Sequence, residues 1–252
     1  MRTATLITPV VLALVACNEP KPPPPAEAKA EGTKVAAAPA AAPAPAAQAA
    51  PAAPAANAGP PFKSADGGVL DGAALFKQRT CLACHGKDAK TPILPNYPRV
   101  AGQMPAYAEQ QMKDIKSGAR SNGQTAAMKG IMPLVADEEI PALAWYLSTL
   151  DPIPSPAAAA VGAFTDGGSK LDGAALFVQK QCVACHGKDA KTPIMPNYPN
   201  LVGQSAVYAE QQIKDIKSGV RSNGQTAAMK AIVAQVNDDE IHALAEYLHT
   251  LK

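Results

Sequence analysis

Three windows in the first half of the 252-residue chain carry apolar residues at helical spacing, and each window returns in the second half. Residues 70–80 predict a helix with Asp71 as its N-cap, because a short carboxylate there can accept from the orphan N–H groups of the first turn. Over 106–117, Tyr107, Gln110, Gln111, Asp114 and Ile115 fall at i, i+3, i+4, i+7 and i+8 and share a face, and Gly118 suits the left-handed end. Over 137–150 an acidic start, read as the cap, precedes Ile140, Leu143, Leu147 and Leu150 along one face. No stretch shows the sustained two-residue alternation of a strand, so the expectation is all-α.

The two halves are one unit written twice. A shift of 101 residues takes Cys81 to Cys182, Leu70 to Leu171 and Leu150 to Leu251 without a gap, and about two-thirds of the paired positions are identical. The units are expected at 62–151 and 163–252, joined by a Pro-rich linker at 152–162. The hydrophobic fraction of 47% is inflated by alanine, and aromatics make up only 4%. A core that poor in large side chains suits a module whose central apolar mass is a buried prosthetic group. Net charge is +2, with ten basic against nine acidic residues in 62–151 and nine against nine in 152–252. Such a balance argues against a nucleic-acid partner.

Ahead of the units, Arg2 and a short apolar run read as a leader, 1–16, too short to cross a membrane. It ends in Leu14-Val15-Ala16-Cys17, which resembles the bacterial lipobox. The expectation is a lipoprotein acylated on Cys17 and anchored on the periplasmic or other extracytoplasmic side of a membrane. Residues 18–61 are almost entirely Pro and Ala and cannot bury enough apolar surface to offset ordering. With Cys17 they read as a disordered tether that, at about 3.1 Å per residue, reaches on the order of 130 Å when fully extended.

The chemistry is concentrated in Cys81-Leu82-Ala83-Cys84-His85 and Cys182-Val183-Ala184-Cys185-His186. C-x-x-C-H is the attachment signature of c-type haem: two thiols a helical turn apart add to the two vinyl groups, and the adjacent histidine ligates the iron. Two covalent haems are therefore expected. A closed zinc site needs four ligands, whereas each unit offers two cysteines and one histidine in this run. A thioredoxin-like pair expects strand–helix alternation, which is absent from the pattern.

The other face of each iron decides between electron transfer and an open site. Unit one has no histidine besides His85, and its methionines are Met104, Met112, Met128 and Met132. The counterparts in unit two are Ser205, Ile213, Met229 and Val233. A single methionine is more often core packing than a ligand. If both units bind haem alike, however, only Met128 and Met229 survive as the pair. His242 and His249 face Pro141 and Ser148 in the repeat, so they read as surface residues without a ligand role.

From these residues on, the units resemble class I cytochrome c domains, and the pair resembles the dihaem cytochrome c4 family. The resemblance covers about 62–252 and rests on His85-Gly86 and His186-Gly187, Asn96-Tyr97-Pro98 and Asn197-Tyr198-Pro199, and Gly102-Gln103 and Gly203-Gln204. It continues through Tyr107 and Tyr208, Gly118/Arg120 and Gly219/Arg221, and the terminal Tyr-Leu runs. It implies that the carbonyls of Pro98 and Pro199 accept from the outer nitrogens of His85 and His186, and that Gly72 and Phe76 approach Tyr146. The lipobox and the long tether depart from the family. The function implied is a membrane-tethered dihaem carrier, not an enzyme, passing single electrons between redox proteins of a respiratory chain. Two further readings keep the haems: a fixed electron-entry subunit of an oxidase or dehydrogenase, or a dihaem peroxidase or sensor with one open iron. The near-identity of the units argues against the last.

Overall fold

The computed structural model describes residues 60–154, 159, 161–165 and 168–252. The leader, Cys17 and all but the last two residues of the tether lie outside them. Unit one consists of α1 (Gly72–Gln78), α2 (Cys81–His85), α3 (Pro105–Ser117), α4 (Thr125–Ile131) with a 3₁₀ turn (Met132–Leu134), and α5 (Glu139–Thr149). Unit two repeats this as α6 (Gly173–Gln179), α7 (Val183–His186), α8 (Ala206–Ser218), α9 (Thr226–Val233) and α10 (Asp238–Thr250). Among the described residues, extended pairing is limited to one isolated bridge between Lys63 and Val69. The chain is all-α.

The predicted helix ends hold in part. Asp71 accepts from the N–H groups of Ala73 at 2.9 Å and Ala74 at 3.3 Å, and Gly118 ends α3 at φ +86°. The acidic cap expected on the last helix of unit one does not form, because Glu138 at its N-cap makes no side-chain bond. In unit two, Asn237 and Glu240 form a reciprocal capping box on α10. Position 136 is alanine where 237 is asparagine, so unit one keeps only the return half, Ala136 N–H to Glu139 Oε2 at 2.9 Å. Arg79 takes up the rest of that carboxylate at 2.6 and 3.0 Å.

Each unit buries one apolar cluster where its first helix crosses its last. Leu75, Phe76, Ile140, Leu143 and Leu147 form it in unit one, and Leu176, Phe177, Ile241, Leu244 and Leu248 in unit two. The crossing is close enough to exclude a side chain, since a Cβ on Gly72 would lie 2.2 Å from the Ala142 carbonyl oxygen and 2.6 Å from Tyr146 Cβ. Gly173 meets Ala243 and Tyr247 at the same distances. Gly72→Ala is therefore expected to cost about 1–3 kcal/mol through overpacking against backbone. Thermal melting checks it, and an unchanged midpoint would show that the helices part freely.

The polar face predicted on α3 is not a solvent face; it meets the equivalent face of α8. Arg120 donates to Tyr208 Oη and Gln212 Oε1, both at 3.0 Å, while Arg221 donates to Tyr107 Oη and Gln111 Oε1, both at 3.0 Å. Asn122 Nδ2 donates to Asp215 and Asn223 Nδ2 to Asp114, each at 2.6 Å. Every one of these bonds has its counterpart 101 residues along, so the two units meet about a pseudo-twofold relation. The linker is packed where it is described: Lys90 Nζ reaches the Ile153 carbonyl at 3.1 Å, and Pro152 and Pro154 lie against Gly102 and Gly203.

His242 and His249 are half-buried packing residues, not the surface groups expected. His242 stacks on Phe164 with ring centroids 3.8 Å apart and pairs with Glu210 at 2.9 Å. His249 wedges between the carbonyls of Gln204 (3.1 Å) and Ala159 (2.8 Å), with Arg99 Nη1 at 3.2 Å. Both residues tie the stretch ahead of unit two to the final helix, His242 through Phe164 and His249 through Ala159.

Candidate functional site

The C-x-x-C-H helices begin at reversals that force left-handed backbone on ordinary residues, Thr80 at φ +58° and Gln181 at φ +60°. Non-glycine residues held there cost on the order of 1–3 kcal/mol and cluster at functional sites. The payoff is local: one helical turn puts Cys81, Cys84 and His85 on a common face, three and four residues apart. Cys182, Cys185 and His186 repeat the arrangement.

Each trio opens on a cavity. In unit one the cavity is ≈ 440 Å³ and is lined by Cys81, Cys84, His85 and Met128. In unit two it is ≈ 740 Å³ and is lined by Cys182, Cys185, His186 and Met229. Both volumes fall in the range of small-molecule and cofactor sites. The unit-one cavity reaches across the interface to Met229 and Arg221. Met112 and Met132 also line it, whereas Met195 of unit two is 48% exposed. The sequence-predicted residues thus converge, unit by unit, and the two prolines converge with them.

The histidines are held in one tautomer. His85 Nδ1 lies 3.0 Å from the Pro98 carbonyl oxygen and His186 Nδ1 lies 3.4 Å from that of Pro199. A carbonyl only accepts, so Nδ1 carries the proton and Nε2 keeps its lone pair for a metal. Burial pushes both imidazole pKa values down, against the opposing pull of the proline carbonyls, which keeps the rings neutral. Burial pushes the Cys81 and Cys182 thiols up to about 11, so they stay protonated. None of the four cysteines of the two motifs is in a disulfide, which leaves all four sulfurs for haem vinyl groups.

This donor set fits haem c: two thiols for the vinyl groups, an imidazole with a free Nε2, a thioether on the same cavity, and apolar walls. The buried guanidiniums of Arg120 and Arg221 supply a polar end suited to the carboxylates of a porphyrin. Sequence reasoning had Gly-x-Arg and Gly-Gln only as family motifs. It missed that Arg120, Arg221, Gln103 and Gln204 each act across the interface, and no spacing within one unit signals that.

Comparison with known proteins agrees with this geometry. The family model described as Cytochrome c matches residues 69–151 and 171–252. The chain is 35% identical over 192 residues to a thiosulfate dehydrogenase electron acceptor of Stutzerimonas stutzeri, spanning 73% of this chain and 86% of that one. It is 32% identical over 184 residues to cytochrome c4 of Pseudomonas aeruginosa, spanning 71% and 87%. The crystal structure of reduced recombinant cytochrome c4 from Pseudomonas stutzeri superimposes with a TM-score of 0.59 at 29% identity, covering 72% of this chain and 97% of that one. The chain belongs to the cytochrome c family, as a dihaem protein of the cytochrome c4 type with two covalently attached haems c.

Proposed function

We propose that this chain is a membrane-tethered carrier that moves single electrons between respiratory partners through two haems with His/Met axial ligands. His85 and Met128 are the ligands in unit one, and His186 and Met229 in unit two. Residues 62–151 and 163–252 are the two haem domains. Acylated Cys17 is the anchor, and the Pro/Ala segment lets the head range from it. The observation that carries the reading is the convergence, in each unit, of two thiols, a neutral imidazole and one shared-position methionine on a single cavity.

The haem, once attached, supplies one-electron exchange between ferric and ferrous iron. The chain does the rest. Cys81, Cys84, Cys182 and Cys185 attach and orient the ring, and the proline carbonyls fix the imidazoles. The thioethers favour the ferrous state relative to a second histidine, and the apolar walls keep water from the iron. With His85, Met128, His186 and Met229 holding the two irons, neither would be open to a substrate, and the chain would pass electrons without itself being an enzyme.

The name of the Stutzerimonas stutzeri relative points to a thiosulfate dehydrogenase as the electron donor. Mixing the oxidised protein with such an enzyme and thiosulfate is expected to reduce both haems, two electrons per chain, with the protein dissociating afterwards. No reduction would remove this donor. Stoichiometric copurification with a partner would make the chain a fixed electron-entry subunit.

A further inference from the structure

The peptide that receives each histidine's hydrogen bond is held from the opposite unit. In unit one, the Pro98–Arg99 peptide uses both of its polar groups. Its carbonyl accepts from His85 Nδ1–H at 3.0 Å, and its N–H donates to Gln204 Oε1 at 2.9 Å. Gln204 Nε2 closes the pair by donating to the Arg99 carbonyl at 2.9 Å. Unit two mirrors this bond for bond. The Pro199 carbonyl lies 3.4 Å from His186 Nδ1, the Asn200 N–H donates to Gln103 Oε1 at 2.8 Å, and Gln103 Nε2 donates to the Asn200 carbonyl at 3.0 Å.

The orientation of both amides is set by their neighbours. Gln204 Oε1 also accepts from Ser205 N–H at 2.9 Å, and Gln103 Oε1 from Met104 N–H at 2.9 Å. Each oxygen therefore faces two backbone donors and each Nε2 faces a carbonyl, an arrangement that fails if the amide is turned over. Gln204 is 8% exposed, so water does not compete for these bonds.

We propose that Gln204 is a positioning residue for the haem of unit one and Gln103 for the haem of unit two, so that each half sets the redox potential of the other half's iron. The inference rests on His85 and His186 being axial ligands. An acceptor on the peptide N–H polarises the peptide and makes its carbonyl a stronger acceptor. The stronger carbonyl draws the Nδ1 proton outward, and the imidazole becomes a more basic ligand. A more basic ligand favours ferric iron, so each glutamine lowers the potential of the opposite haem.

The test is a redox titration of the holoprotein and of Gln204→Met and Gln103→Met, which keep side-chain length and remove both polar atoms. NMR follows each haem separately, with its methyl signals assigned by proximity to Met132 in unit one or to Val233 in unit two. Gln204→Met is expected to raise the potential of the unit-one haem and shift the His85 Nδ1–H resonance, leaving unit two at its wild-type values. Gln103→Met is expected to do the reverse, and it carries the crossed test alone if the first variant fails to fold. A shift confined to the substituted unit's own haem, an equal shift in both, or no shift would overturn the proposal, because a glutamine that merely holds the interface predicts one of those. A wild-type oxidised protein whose His85 and His186 Nδ1–H resonances lack a paramagnetic shift would instead remove the axial-ligand reading, and the proposal with it.

Discussion

Met229→Ala is expected to leave the oxidised protein with about half of its far-red methionine–iron charge-transfer absorption and to let carbon monoxide bind one of the two reduced haems. Met229 is the only methionine of unit two that lines its cavity; Met195 lies exposed outside it. Alanine there leaves no thioether at the sixth position. The neighbouring residues cannot replace it, since Ile213 and Val233 carry no lone pair. Losing the thioether also removes the stabilisation of ferrous iron, so the unit-two potential falls. Met128→Ala is the sharper comparison, because Met112 and Met132 line the unit-one cavity as well. The spectrum of that variant, read beside the first, shows whether position 128 alone ligates. An intact far-red band in either variant would assign the sixth ligand elsewhere.

The second large effect is at the interface. Arg120→Leu is expected to cost about 3–5 kcal/mol, the range for taking one partner out of a buried charged network. Arg120 is 7% exposed and donates to Asn122, Gln111, Tyr208 and Gln212 at 3.0–3.2 Å. Leucine fills most of the volume but leaves the buried Asn122 Oδ1 and the half-buried Tyr208 Oη without this donor. A stranded buried acceptor loses its full desolvation cost, which exceeds the net worth of the bond it made. Arg221→Leu is expected to cost a similar amount, because its bonds repeat those of Arg120 with the units exchanged. Differential scanning calorimetry reads both. The holoprotein should melt in one transition, and either variant at lower temperature, with the two units separating into distinct steps. A variant melting with the wild type would show that the network is incidental to stability.

The haem attachment, the helical class and the doubling of the unit were legible in the residues because each depends on near neighbours. C-x-x-C-H works within one helical turn, the Asp71 cap within three residues, and the apolar face of the last helix within four turns. The shared-position argument also reached Met128 and Met229, whose side chains line the cavities beside His85 and His186. Where a local pattern misled, the deciding group lay outside it. The acidic start read as the cap of α5 makes no capping bond, and in unit two the cap is Asn237 rather than an acidic residue, while Phe164 and Ala159 turned His242 and His249 from surface residues into packing.

The amino-acid sequence by itself determined two haem-bearing helical units, their register, and the C-x-x-C-H runs that attach each cofactor, since these are set by covalent chemistry and short-range hydrogen bonding. Only the tertiary structure decided what the repeated polar residues of α3, α8 and the Gly-Gln turns are for. Tyr107, Gln111, Arg120 and Gln103 are only partly satisfied within their own unit. The rest of their donors and acceptors are completed 88 to 114 residues away in sequence, on the other unit. Buried polar groups must be paired, and here the pairing that satisfies them is also the one that ties each histidine's peptide to the opposite half.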